Sequence, residues 1–238
     1  MNITSFLKQR RPQQFLILTA STLFAFALLI GRWHYYPIDW STINSIQDLA
    51  TFRGAPTFLF LVWNLFLAWI PYWVALSLNT VYTKINSSIL IASLLAIWLL
   101  FFPNAPYIIT DLLHLKNRFP IPHWYDMMLI FSFAWTGLAL GLLSLYEVQL
   151  FLQQHIRRRF AWMVSITCIG LAGFGVFIGR FQRWNSWDIV TQPKALGYEL
   201  VRTVSNPSAE GDSIGLALVL SGFMLVGYLF LMSFAPQN

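Results

Sequence analysis

Residues Phe102–Asp126 read FPNAPYIITDLLHLKNRFPIPHWYD and break two long apolar runs with prolines, amides and ionisable groups. Pro103 and Pro106 cannot both sit inside a regular helix, because each lacks an N–H and its ring crowds the preceding turn. The sequence therefore predicts a helix that stops at Phe102 and restarts at Ala105 behind an Asn104 cap. In the restarted piece Tyr107, Asp111 and His114 recur at helical spacing beside the apolar Ile108, Leu112 and Leu115. That pattern is a short amphipathic helix, interfacial or re-entrant.

The chain around it is 57% hydrophobic and 10% charged over 238 residues, too apolar to present a water-facing surface around one core. A helix needs roughly 20 apolar residues to cross a bilayer. Runs at about 15–32, 57–81, 89–102, 126–152, 160–179 and 214–234 supply six such spans, the third being short. The expected fold is all-α: a six-helix transmembrane bundle with the short helix after span three, forming one integral membrane domain over 1–238. The basic start and first apolar run resemble a signal peptide, but the run ends in GRWHYYP with no small-residue cleavage pattern, so it is read as an uncleaved span. Pro71 falls inside the second span and predicts a kink there. Gly137, Gly141 and Ser144 form a small-residue packing face on the fourth. The lone Cys168 excludes an internal disulfide and a thiolate metal cluster.

Six spans place both termini on one side, with Lys8, Arg10, Arg11, Lys84 and Arg157, Arg158 and Arg159. By the positive-inside rule that side is cytoplasmic and the protein belongs to the inner, or plasma, membrane. The net charge of +6 then records orientation, and nucleic acid drops out as a partner. Glu147, near the end of span four, is expected to pair with the run Arg157–Arg159.

Ionisable groups near a bilayer are costly unless they pair or serve a ligand. On the outer side Asn64, Asn104, Tyr107, Asp111, His114, Asp126, Arg180, Arg183 and Asp188 converge as a candidate site. If the fifth helix runs on past Gly179, Arg180, Arg183, Trp184, Trp187 and Asp188 share one face.

Four stretches, WNLFLAWIP at Trp63–Pro71, FPNAPYIITDLLHL at Phe102–Leu115, WYD at Trp124–Asp126 and GRFQRWNSWD at Gly179–Asp188, resemble a bacterial membrane family known as domain of unknown function 1361. The resemblance covers about 58–190. It implies a polytopic membrane protein and carries no activity.

Three function classes follow. In the first, Arg180 and Arg183 hold the phosphate or carboxylate of a lipid-linked or envelope substrate through their planar forks. There Asp111, His114 and Asp126 supply acid, base and a second carboxylate. Asn64, Asn104, Tyr107, Trp184, Asn185, Trp187 and Asp188 surround the ligand, whether a lipid or an anionic small molecule. A metal variant would use Asp111 and His114 with Asp126 or His123, a weak ligand set, and the sequence leaves any cofactor unknown. In the second class the broken third helix and kinked second line a transporter cavity. In the third the aromatic, charged surface docks a membrane-protein partner in an envelope complex.

Overall fold

A computed structural model describes residues 3–35, 58–115, 121–205 and 211–234. Most of the Gly31–Pro56 linker and the Asn206–Glu210 part of the expected loop lie outside the described residues, as do the side chains of Lys8, Arg10 and His114. The six long helices are α1 (Ile3–Tyr35), α2 (Leu59–Ile85), α3 (Ser88–Phe101), α5 (His123–His155), α6 (Arg158–Phe181) and α9 (Gly211–Ser233). The short ones are α4 (Asn104–Tyr107), α7 (Asp188–Thr191) and α8 (Pro193–Ser205). The fold is the all-α multi-pass bundle that the apolar runs imply, with six candidate membrane spans among the described residues.

Local chemistry sets the element ends. Asn86 adopts a left-handed φ of 48° and its N–H returns to the Tyr82 carbonyl, closing α2. Ser87 then accepts the Leu90 N–H at 3.4 Å to open α3. The fourteen residues of α3 rise only about 21 Å, short of a bilayer core of about 30 Å. The span is completed by α4 and a 3-10 helix, Ile108–His114, which carry it to Leu113. Two expectations are corrected here. Pro103, not Asn104, occupies the cap position of α4, and the Asn104 amide instead donates back to the Phe101 carbonyl at 3.0 Å. Beyond Tyr107 the chain winds as a 3-10 helix rather than an α-helix. α2, for its part, is continuous across Pro71.

The centre of the bundle is α5, packed by α1, α2, α4, α6 and α9. Gly137 and Gly141 let α4 and the 3-10 helix lie against it. A methyl at Gly137 would come within 2.7 Å of the Ala105 carbonyl oxygen, and one at Gly141 within 2.9 Å of the Ala105 methyl. The small-residue face is thus a packing face, as its spacing implies. Two apolar cores flank it. One gathers Trp98, Phe102, Leu145, Phe151, Ala172 and Tyr228, and the other Leu18, Leu61, Leu65, Tyr72, Ile108 and Phe133.

Two ion pairs clamp α1 antiparallel to α5. At one end Arg11 Nε donates to Glu147 Oε1 at 3.1 Å, and at the other Arg32 Nε donates to Asp126 Oδ1 at 2.8 Å. Arg11 and Arg32 are 21 residues apart, as are Asp126 and Glu147. At 1.5 Å per residue that separation is about 31 Å, the depth of a hydrocarbon core. The separation is the one that places both pairs at the edges of a hydrocarbon core, where a charge costs least. Glu147 does not meet Arg157–Arg159, because α5 continues to His155 and carries that run about 15 Å further along the axis.

Candidate functional site

The Arg32 end of the bundle gathers the start of α2, the α3–α4 break, the end of α6 and the segment after it. Asp111 is 1% exposed and is held from two sides. Arg180 Nη1 donates to its Oδ1 at 2.9 Å, and Asn64 Nδ2 donates to its Oδ2 at 3.1 Å. The second arm of the guanidinium, Nη2, donates to the Thr110 carbonyl at 2.9 Å, and Arg180 Cζ sits 5.8 Å from the centre of the Tyr107 ring. Three helical segments are thereby joined through one carboxylate. Such a pair in low dielectric holds firmly only when its remaining donors and acceptors are satisfied, as these are.

Past Arg180 the chain turns rather than continuing. α6 ends at Phe181, Arg183 takes a left-handed φ of 59°, and the Trp184 N–H returns to the Ile178 carbonyl at 3.4 Å. The expected stripe of Arg180, Arg183, Trp184, Trp187 and Asp188 on one helix face is therefore not formed. Arg183 points outward and is exposed. Asp188 is buried and accepts the Asn185 N–H at 2.7 Å, which fixes the turn that leads into α7. The Asn104 amide reaches Ser186 Oγ at 3.1 Å, and Ser186 in turn donates to the Leu100 carbonyl at 3.0 Å. This short relay pins the turn against the α3–α4 break.

Between α2, α3, α6 and that turn lies a cavity of about 640 Å³. Its body is apolar, lined by Leu67, Leu99, Leu100, Phe174 and Ile178, and Gly175 and Gly179 keep α6 thin along one wall. A methyl on Gly175 would meet the Pro103 ring at 2.7 Å, and one on Gly179 the Tyr107 ring at 3.4 Å. Its polar end is formed by Asn64, Asn104, Tyr107, Asn185 and Ser186, with the indoles of Trp63, Trp184 and Trp187 around it. Ile97 and Leu171 belong to the lining and are also exposed, at 42% and 46%. Both lie well inside candidate spans, so part of the lining is exposed on the flank of the bundle.

Of the residues singled out in the sequence, Asn64, Asn104, Tyr107, Trp184, Asn185 and Trp187 line this cavity. Asp111 and Arg180 stand directly behind it, in contact with Asn64 and Tyr107. Asp126 is elsewhere, buried against Arg32, and His123 is exposed at the start of α5. No group of three or more His, Cys, Asp or Glu able to hold a metal occurs among the described residues. Ser186, Trp63 and the mid-span Ile97 and Leu171 escaped the sequence reading. Ser186 and Trp63 sit inside quoted motifs and were within reach of it, whereas Ile97 and Leu171 are indistinguishable in sequence from any lipid-facing residue.

Neither a curated protein nor a solved structure matches the chain. A family model does, over residues 63–227, so the likeness runs beyond 190 and into α9 while leaving α1 outside it. With well over half its length matched, the chain belongs to the family described as Protein of unknown function (DUF1361).

Proposed function

We propose that this membrane protein binds an amphiphile, a lipid or lipid-linked molecule, in the cavity between α2, α3 and α6. The carrying observation is the exposure of Ile97 and Leu171 on the flank of the bundle combined with a polar end at Asn64, Asn104 and Ser186. An apolar chain enters from the bilayer and its head group reaches the amides, the arrangement expected of a concave site with a few placed polar groups. Lys84, Arg157, Arg158, Arg159 and Arg11 lie at the opposite end of the bundle, which the positive-inside rule assigns to the cytoplasm. The head group then sits at the outer leaflet.

Binding is favoured over acid–base catalysis because Asp111 is already held by Arg180 and Asn64, and Asp126 by Arg32. Neither carboxylate faces the cavity. The test is extraction of the protein with its surrounding bilayer in polymer discs, followed by mass spectrometry of the retained lipid. Wild-type protein is expected to enrich one lipid class over the bulk membrane, and Ala96→Trp, which places an indole in the lining at an exposed position, to lose it. Equal lipid profiles for wild type, variant and bulk membrane overturn the proposal.

A further inference from the structure

We infer that the head group taken by this cavity is uncharged and rich in hydroxyls, a glycosyl-type head on an apolar chain, and not an anion. The inference rests on the amphiphile reading above and names the substrate class within it. No Asp, Glu, Lys or Arg lines the cavity among the described residues. Arg180 stands behind the lining, and its two terminal nitrogens donate to Asp111 and to the Thr110 carbonyl. A phosphate or carboxylate drawn into this space would lose its water without gaining a counter-charge, which is among the most costly burials. A cationic head finds no carboxylate in the lining, since Asp111 is paired with Arg180 behind it, and would be held by the aromatic faces alone.

What the lining does present is uncharged: amide acceptors, aromatic faces, and the hydroxyl of Tyr107 with the indole N–H groups of Trp63, Trp184 and Trp187. The Asn104 amide nitrogen is committed to the Phe101 carbonyl and Ser186, and the Asn64 nitrogen to Asp111. Among the described residues the carbonyl oxygens of both amides accept from no protein donor, so each has lone pairs for an incoming hydroxyl. Trp63, Tyr107, Trp184 and Trp187 ring the same end. Flat aromatic surfaces beside amide acceptors suit a sugar ring, which carries C–H faces on its two sides and hydroxyls around its edge. The ion pair has a positioning role here: it holds Asn64 by its nitrogen and so aims the amide oxygen away from Asp111.

The test uses three photoreactive amphiphiles with one chain, bearing a diazirine, and three heads: glucosyl, phosphate and trimethylammonium. Full-length protein in phosphatidylcholine nanodiscs is labelled and the sites are mapped. The glucosyl probe is expected to label the segments around Ile97 and Leu171 at least about fivefold more than the other two, the worth of roughly one hydrogen bond. An alkyl glucoside should compete and free glucose should not. Trp187→Arg, a change at a 42% exposed position, adds a cation to the lining and should turn the preference toward phosphate. Equal or stronger labelling by the phosphate or ammonium probe in the wild type overturns the inference while leaving the amphiphile reading in place. Competition by glucose alone overturns the requirement for a chain. Labelling of the cavity segments by every probe at the level of lipid-facing Ile89 overturns the amphiphile reading itself.

Discussion

Arg180→Met is the substitution whose cost the structure sets most directly. It removes two hydrogen bonds of 2.9 Å and the cation that faces Asp111, leaving a carboxylate 1% exposed with a single amide donor at 3.1 Å. Loss of one ordinary hydrogen bond costs about 1 kcal/mol. Stranding a buried charge costs about 3–5 kcal/mol, so the charge term dominates. The companion variant Asp111→Leu/Arg180→Met removes both charges and is expected within about 1 kcal/mol of wild type, because a buried pair exchanged for apolar groups is often close to neutral. Reversible unfolding in mixed micelles of increasing SDS content, followed by far-ultraviolet circular dichroism, measures both. Arg202→Ala is the control: its partner Glu199 is one turn away, Arg202 is 63% exposed, and its loss should cost under about 0.5 kcal/mol. An Arg180→Met protein within 1 kcal/mol of wild type, or a double variant as unstable as the single one, refutes the reasoning.

Further outcomes follow from the packing. Gly173→Leu should destabilise strongly, since even a methyl there meets Ser221 Oγ and comes within 2.6 Å of the Ala217 carbonyl oxygen on α9, whereas Gly170→Leu, with open space around it, should be nearly silent in the same unfolding assay. In a Cys168→Ala background, Ser21→Cys with Thr136→Cys should form a disulfide, as the native oxygens lie 2.6 Å apart. One alanine inserted after Ala25 rotates the rest of α1 by about 100° and prevents Arg11 and Arg32 from both reaching their carboxylates. Protease cleavage near α1 should rise in that variant. In the same cysteine-free background, Arg183→Cys should react with an impermeant thiol reagent on intact cells, and Arg157→Cys only after permeabilisation; the reverse pattern overturns the assigned orientation.

The number of spans and the break at Pro103–Pro106 were legible in the chain because both are local properties. An apolar run long enough to cross a bilayer must do so as helix, and a proline cannot donate into the turn before it. Asn64, Asp111 and Arg180 all sit near span ends on one side in the sequence, and hydrogen bonds join them in the fold. Which charge meets which was another matter. Glu147 found Arg11 rather than the nearer basic run, and Asp126 found Arg32, 94 positions away, through the matched 21-residue spacings of α1 and α5. The end of α6 depended on a left-handed residue at Arg183, an arginine with nothing in its own sequence to announce it, and that turn separated Arg183 from Arg180. The cavity is likewise a property of the fold: Ile97 and Leu171 become lining residues only once α3 and α6 stand apart around it. Helix existence follows from composition along the chain, whereas rotation and spacing follow from how glycine faces and buried pairs bring the helices together.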